Sequence, residues 1–120
     1  YHTNVLMCVA DKFAVICLES IADKTTKKKI TDQLIETGKE IIEISFQQLN
    51  NFAGNMLQVR NTDNELLLVM STRAYRSLTS SQIDRLSVFN RLIHSNLQII
   101  ESAGGGSARC MIAEIFNKKI

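Results

Sequence analysis

Long apolar runs are missing from this sequence: no stretch approaches the roughly 20 residues that a helix needs to span a bilayer. The opening Tyr1-His2-Thr3-Asn4 is not a signal peptide either. Charge of one sign is scarce, since 14 basic and 12 acidic side chains leave a net +2. That balance gives no electrostatic case for nucleic acid or a membrane surface, and the one basic cluster, Lys27-Lys28-Lys29, reads as a solvated helix face. Cysteine and histidine are also few. The three cysteines (Cys8, Cys17, Cys110) cannot all pair, and none sits in a CxxC or metal-ligand spacing. With two well-separated histidines they form no ligand set, so neither a metal nor an organic cofactor is expected. Unpaired thiols point to a reducing, cytoplasmic location.

What is present suits a single soluble domain with a modest core: 120 residues, 45% apolar and 22% charged. The chain begins without Met and reads directly into a strand, and is expected to be part of a longer protein.

Val5 to Ala10 and Phe13 to Leu18 are continuous apolar runs separated by Asp11-Lys12, a spacing that suits a hairpin. Neither run alternates apolar with polar, so both read as strands buried on both faces, with Cys8 and Cys17 as core packing. Thr26 to Thr37 reads as a helix: Ile30 and Leu34 share a face, Thr25 or Thr26 can cap its start, and Gly38 suits the left-handed position beyond its end. Glu40 to Ser45 follows as a strand.

The pattern then repeats. Met56 to Val59 and Glu65 to Ser71 read as strands joined by Asn61-Thr62-Asp63-Asn64. Thr79 and Gln82 have capping-box spacing at the start of a helix predicted to run to about Ser95, with His94 in its last turn. Leu97 to Glu101 is the expected closing strand of this unit, and Cys110 to Phe116 begins another. The chain is thus read as two β-β-α-β units, about 1–50 and 51–103, and a further strand over 108–117.

From the end of the second unit into that strand runs Gly104-Gly105-Gly106-Ser107-Ala108-Arg109-Cys110-Met111. Glycines let a backbone take positive φ and pass close to a ligand, and a positive neighbour such as Arg109 favours a thiolate. The plain alternative is a turn leading into a core strand whose cysteine is a small hydrophobe. The repeats shift that balance. Aligned by their strand entrances, Asn4, Asn55 and Cys110 are equivalent, and units of this length suggest a propeller-like or stacked array. Equivalent entrances in such an array converge, which would bring Cys110 close to His2, Asn4 and Asn55.

His2-Thr3-Asn4, Phe52-Ala53-Gly54-Asn55-Met56-Leu57 and the Gly-Gly-Gly-Ser-Ala-Arg-Cys-Met string together resemble the C-terminal part of the guanidine-modifying (amidinotransferase, or pentein) superfamily. The chain is most similar to its citrulline-utilisation hydrolases, also in Leu68-Val69-Met70-Ser71, and is related to arginine deiminases. The resemblance implies an α/β-propeller of five β-β-α-β modules. This chain would supply the last two and a closing strand around a polar central channel.

It also implies a covalent mechanism with Cys110 as nucleophile on a guanidino or ureido carbon and His2 as proton donor and acceptor. Asn4, Asn55, Gly105, Gly106 and Arg109 would shape the substrate site. Arginine deiminases carry Asp where this chain has Asn4, and a neutral amide suits a neutral ureido substrate better than a guanidinium. The carboxylates that hold guanidinium in the family come from earlier modules, and Asp11, Asp63 and Asp84 read as local structure.

The expected function is cysteine-dependent hydrolysis of a C–N bond in citrulline or an arginine-like compound. Amidinotransfer, a catalytically incomplete fragment or binding domain, and an unrelated α/β domain with structural cysteines are the alternatives. The expected partners are the small-molecule substrate and either the missing N-terminal modules or a second copy in a homo-oligomer, because two modules of a ring leave open edges.

Overall fold

The computed structural model describes residues 2–115. A helical turn, α1 (Thr3–Leu6), leads into β1 (Met7–Val9), which reverses at Asp11-Lys12 into the antiparallel β2 (Phe13–Ile16), with Cys8 opposite Val15. The apolar run starting at Val5 is therefore divided, its first residues closing the turn of α1. β2 is buried throughout, as expected of a central strand, but β1 is an edge strand that buries Cys8 and exposes Val9.

After a 3-10 turn at Leu18–Ser20 comes α2 (Lys24–Glu36). Its cap is Asp23 rather than Thr25 or Thr26: the Asp23 carboxylate accepts the Thr26 N–H at 2.7 Å. A carboxylate does this at the positive end of a helix better than a threonine hydroxyl. Ile30 and Leu34 pack on Ala14 and Ile16, and Gly38 (φ +75°) releases the chain into β3 (Glu40–Glu43), parallel to β2.

A short helix, α3 (Phe46–Asn50), follows at once, opened by a reciprocal capping box between Ser45 and Gln48. The second sheet repeats the plan of the first. β4 (Leu57–Arg60) and β5 (Leu66–Ser71) are antiparallel, and the Asn61 side chain closes their turn by accepting the N–H groups of Asp63 and Glu65. α4 (Thr72–Ser77) is capped by Ser71, and α5 (Ser80–Phe89) by the Thr79–Gln82 box that the spacing predicts. β6 (Arg91–Ser95) then pairs parallel with β5, Leu68 facing Leu92. α6 (Gln98–Gly104) and a 3-10 turn at Ala108–Met111 complete the described elements.

Three expectations are corrected here. The helix begun at Thr79 stops at Phe89, because Asn90 turns extended and its side-chain amide donates to the Leu86 carbonyl at 3.1 Å. The residues read as its last turn are instead the third strand of the sheet. His94 sits on that strand, hydrogen-bonded to Thr72 and stacked on Tyr75. With β6 in place, Leu97–Glu101 is not a strand but the entry and first turn of α6. The closing strand expected over 108–117 is a 3-10 turn followed by irregular backbone as far as 115, and Phe116 and Asn117 lie outside the described residues.

The two sheets share one core. Cys8, Phe13, Val15 and Ile42 of the first unit pack in the same cluster as Met56, Leu68, Met70 and Leu86 of the second, and Phe13 stacks on Phe89. Polar ties reinforce it. Gln82 donates to the Glu43 carbonyl at 2.7 Å, and Arg85 to that of Ile41 at 2.7 Å. This packing sets the start of β1 and the approach to β4 side by side.

Candidate active site

Gly54 makes that juxtaposition possible. A Cβ at this position would stand 2.3 Å from the Val5 carbonyl oxygen, so only glycine lets the segment entering β4 lie against α1. The next residue, Asn55, is completely buried, and both ends of its amide are used. Its Nδ2 donates to the Asn4 carbonyl at 2.7 Å and to Cys110 Sγ at 3.3 Å, while its Oδ1 accepts the Arg109 N–H at 3.1 Å. One side chain thus ties together three segments, and a buried amide with all these partners resists rearrangement.

Cys110 is exposed, alone among the three cysteines, and lies on the 3-10 turn rather than at a strand entrance. Its N–H binds the Ser107 carbonyl at 3.1 Å. Of the preceding glycines, Gly105 (φ +67°) ends α6 in the left-handed region, and Gly106 presses on the cysteine itself. A Cβ at Gly106 would sit 3.2 Å from that of Cys110 and 3.3 Å from its sulfur. Gly104 has open space around it.

Arg109 is half-buried and lines a cavity of about 430 Å³ with Asn4, Cys8, Gln58 and Glu114. Burial pushes the Cys8 thiol up to about 11, against the pull of the Arg109 charge and a backbone hydrogen bond from Gln58. Cys8 is therefore a protonated core thiol at neutral pH. Asn4 gives its carbonyl to Asn55, but its own Oδ1 is buried with no partner among the described residues. A buried acceptor left unpaired costs free energy.

His2 is exposed at the start of α1, two residues from Asn4, and its carbonyl accepts the Val5 N–H at 3.0 Å. Among the described residues no group of three or more His, Cys, Asp or Glu is placed to hold a metal ion.

The model of the family "N,N dimethylarginine dimethylhydrolase, eukaryotic" matches residues 1–117. The chain belongs to this family. It is thereby a member of the guanidine-modifying superfamily that its motifs resemble. The solved apo structure of ArgZ, an arginine dihydrolase from the ornithine-ammonia cycle in cyanobacteria, superposes with a TM-score of 0.69 at 18% identity. That likeness covers 92% of this chain but 16% of ArgZ, and at this identity it speaks for the fold. No protein of curated function matches the chain.

Of the residues singled out from sequence, Asn4, Asn55, Arg109 and Cys110 meet through the Asn55 amide, and Gly106 backs the sulfur. Sequence reasoning overlooked Glu101, buried on α6, and Ser107, whose hydroxyl donates to it at 2.6 Å. No local pattern marks them: Glu101 follows Ile99 and Ile100, which are themselves exposed.

Proposed function

We propose that this chain carries the thiol end of an active site that hydrolyses a C–N bond of a guanidino or ureido compound, with Cys110 as nucleophile. The observation that carries the reading is the Asn55 amide, which donates to an exposed cysteine sulfur from a fully buried, fully bonded position. Such a donor is already oriented before substrate arrives.

In this reading the Cys110 thiolate attacks the central carbon and forms a C–S bond. The C–N bond breaks as the departing amine takes a proton from His2. Water, losing its proton to His2, then adds to the same carbon, and the C–S bond breaks to return the thiolate. Asn4 Oδ1, Arg109 and the Gly105–Gly106 backbone are the groups proposed to meet the substrate. Asn4 suits an N–H of either a guanidino or a ureido group. The dimethylarginine family match favours water over an amine as acceptor, and so hydrolysis over amidinotransfer. N,N-dimethylarginine and arginine are accordingly the first substrates to try, with citrulline as the neutral candidate that Asn4 suits.

The five-module ring belongs to the same proposal, with this chain as its last two modules. Ile99 and Ile115, exposed to 85% and 83%, are surfaces that further modules or a second copy would cover. A cytoplasmic setting fits a reaction that needs a reduced thiol.

The test is intact-mass spectrometry before and after a small chloroacetamidine, an alkylating mimic of the guanidino group. Rapid single labelling at Cys110, sparing Cys8 and Cys17 and lost in Cys110→Ser, is expected. Labelling of Cys110 no faster than in the unfolded chain would end the nucleophile reading.

A further inference from the structure

We infer that Glu101 is a positioning residue for Cys110, acting through Ser107; this rests on the nucleophile reading above. Glu101 lies nine residues before Cys110 and is only 4% exposed, while Ser107 is completely buried. Glu101 holds the intervening loop at two points. Its backbone carbonyl accepts the Gly105 N–H at 3.3 Å, and its Oε1 accepts the Ser107 hydroxyl at 2.6 Å. The Ser107 carbonyl in turn accepts the Cys110 N–H at 3.1 Å. The relay therefore runs from α6 through Ser107 into the turn that presents the sulfur.

Asn55 grips that turn from the opposite side, at the Arg109 N–H and at the sulfur. The glycines between α6 and Ser107 bring no side chains that could brace the loop, so the carboxylate supplies the bracing. A hydrogen bond to a carboxylate is about twice as strong as a neutral one and shorter, in keeping with the length here. Burying a carboxylate is costly, the more so as Oε2 has no partner among the described residues. A loop that needed only a polar filler would be served by a neutral side chain. The cost is consistent with a demand for tight placement of the sulfur.

The experiment uses the full chain with Glu101→Ala, Glu101→Gln and Ser107→Ala. Chloroacetamidine inactivation is resolved into its maximal rate and its half-saturating concentration, and amide exchange is followed over 105–112. Loss of the brace should lower the maximal rate about tenfold or more in Glu101→Ala and Ser107→Ala, with half-saturation within about twofold, since small misplacements cost reaction more than binding. Exchange over 105–112 should quicken while that of β2 and β5 stays at wild-type values. Glu101→Gln, whose carbonyl still accepts from Ser107 but as a neutral and so weaker acceptor, should recover only part of the rate, falling between Glu101→Ala and wild type.

Ser107→Ala with wild-type inactivation and exchange would overturn the inference, as would Glu101→Gln no better than Glu101→Ala. A wild-type chain unreactive at Cys110 would sink the nucleophile reading instead. The exchange data would then still show whether Glu101 braces the loop.

Discussion

Asn55 Nδ2 lies 3.3 Å from Cys110 Sγ across 55 residues of sequence, and the same amide reaches the Asn4 carbonyl, 51 residues away in the other direction. Neither contact is local, so the sulfur environment exists only when both sheets are packed. Asn55→Asp separates the parts of this arrangement. A carboxylate of equal size still accepts the Arg109 N–H, but it offers neither the sulfur nor the Asn4 carbonyl a donor, and its charge repels a thiolate. Chloroacetamidine labelling of Cys110 should slow by about a hundredfold, an effect of the size seen on removing a preorganised donor. Labelling at the wild-type rate would remove Asn55 from the mechanism.

Gly54→Ala probes the approach that puts Asn55 there. The added methyl would meet backbone, the Val5 carbonyl oxygen at 2.3 Å, and backbone cannot swing aside as a flexible side chain does. A loss of roughly 3 kcal/mol in denaturant unfolding is expected, at the upper end for overpacking. Gly104→Ala, in open space at the end of α6, should be neutral or gain about 0.5–1 kcal/mol. Equal effects at the two positions would contradict this account.

The parts of the fold legible in sequence are those with local causes. The hairpin at Asp11-Lys12, the Gly38 stop and the Thr79–Gln82 capping box each depend on residues within a few positions. β6 is hidden in the sequence because Asn90, not glycine, ends α5, and because parallel pairing with β5 is a contact that periodicity does not record. α3 carries the same capping spacing at Ser45 and Gln48 as Thr79 and Gln82 give α5, but over an apolar pattern too short to mark a helix. The site departs from that division, because a repeat makes distant residues comparable while the six-residue Glu101–Ser107 bond spans a glycine loop without periodicity. Asn4, Asn55 and Cys110 came from the repeat alignment, whereas the Glu101–Ser107 bond and the effect of Arg109 on Cys8 depend on how α6 and the turn fold back.

Cys8 gives the molecule an alkaline limit. Burial raises its thiol from 9.0 to about 11, so above pH 9 the unfolded chain releases a proton that the folded chain retains. Stability is therefore full below pH 9 and falls as pH rises toward 11, at about 1.4 kcal/mol per unit at most for one proton. The expected total loss is roughly 2–3 kcal/mol. Cys8→Ala should flatten that limb of a stability–pH profile measured by urea unfolding, whatever its cost at neutral pH. An unchanged slope between pH 9 and 11 would assign the alkaline loss to other groups.

Asn4 bears on which substrate the proposed hydrolase prefers. Its Oδ1, without a partner among the described residues, is an acceptor without formal charge, beside the amide that contacts the sulfur. Asn4→Asp would place a carboxylate there at almost unchanged volume. Opposite charges a few ångströms apart attract by several kcal/mol where solvent is partly excluded, less what desolvation takes back. The variant should therefore raise kcat/KM for N,N-dimethylarginine relative to citrulline by about tenfold, even if both fall, because a cationic guanidinium gains from the new charge and a neutral ureido group does not. Competition between the two compounds in one reaction reads that ratio directly. A ratio unmoved by the substitution would place the reacting group out of reach of Asn4 and leave its side chain a purely structural part.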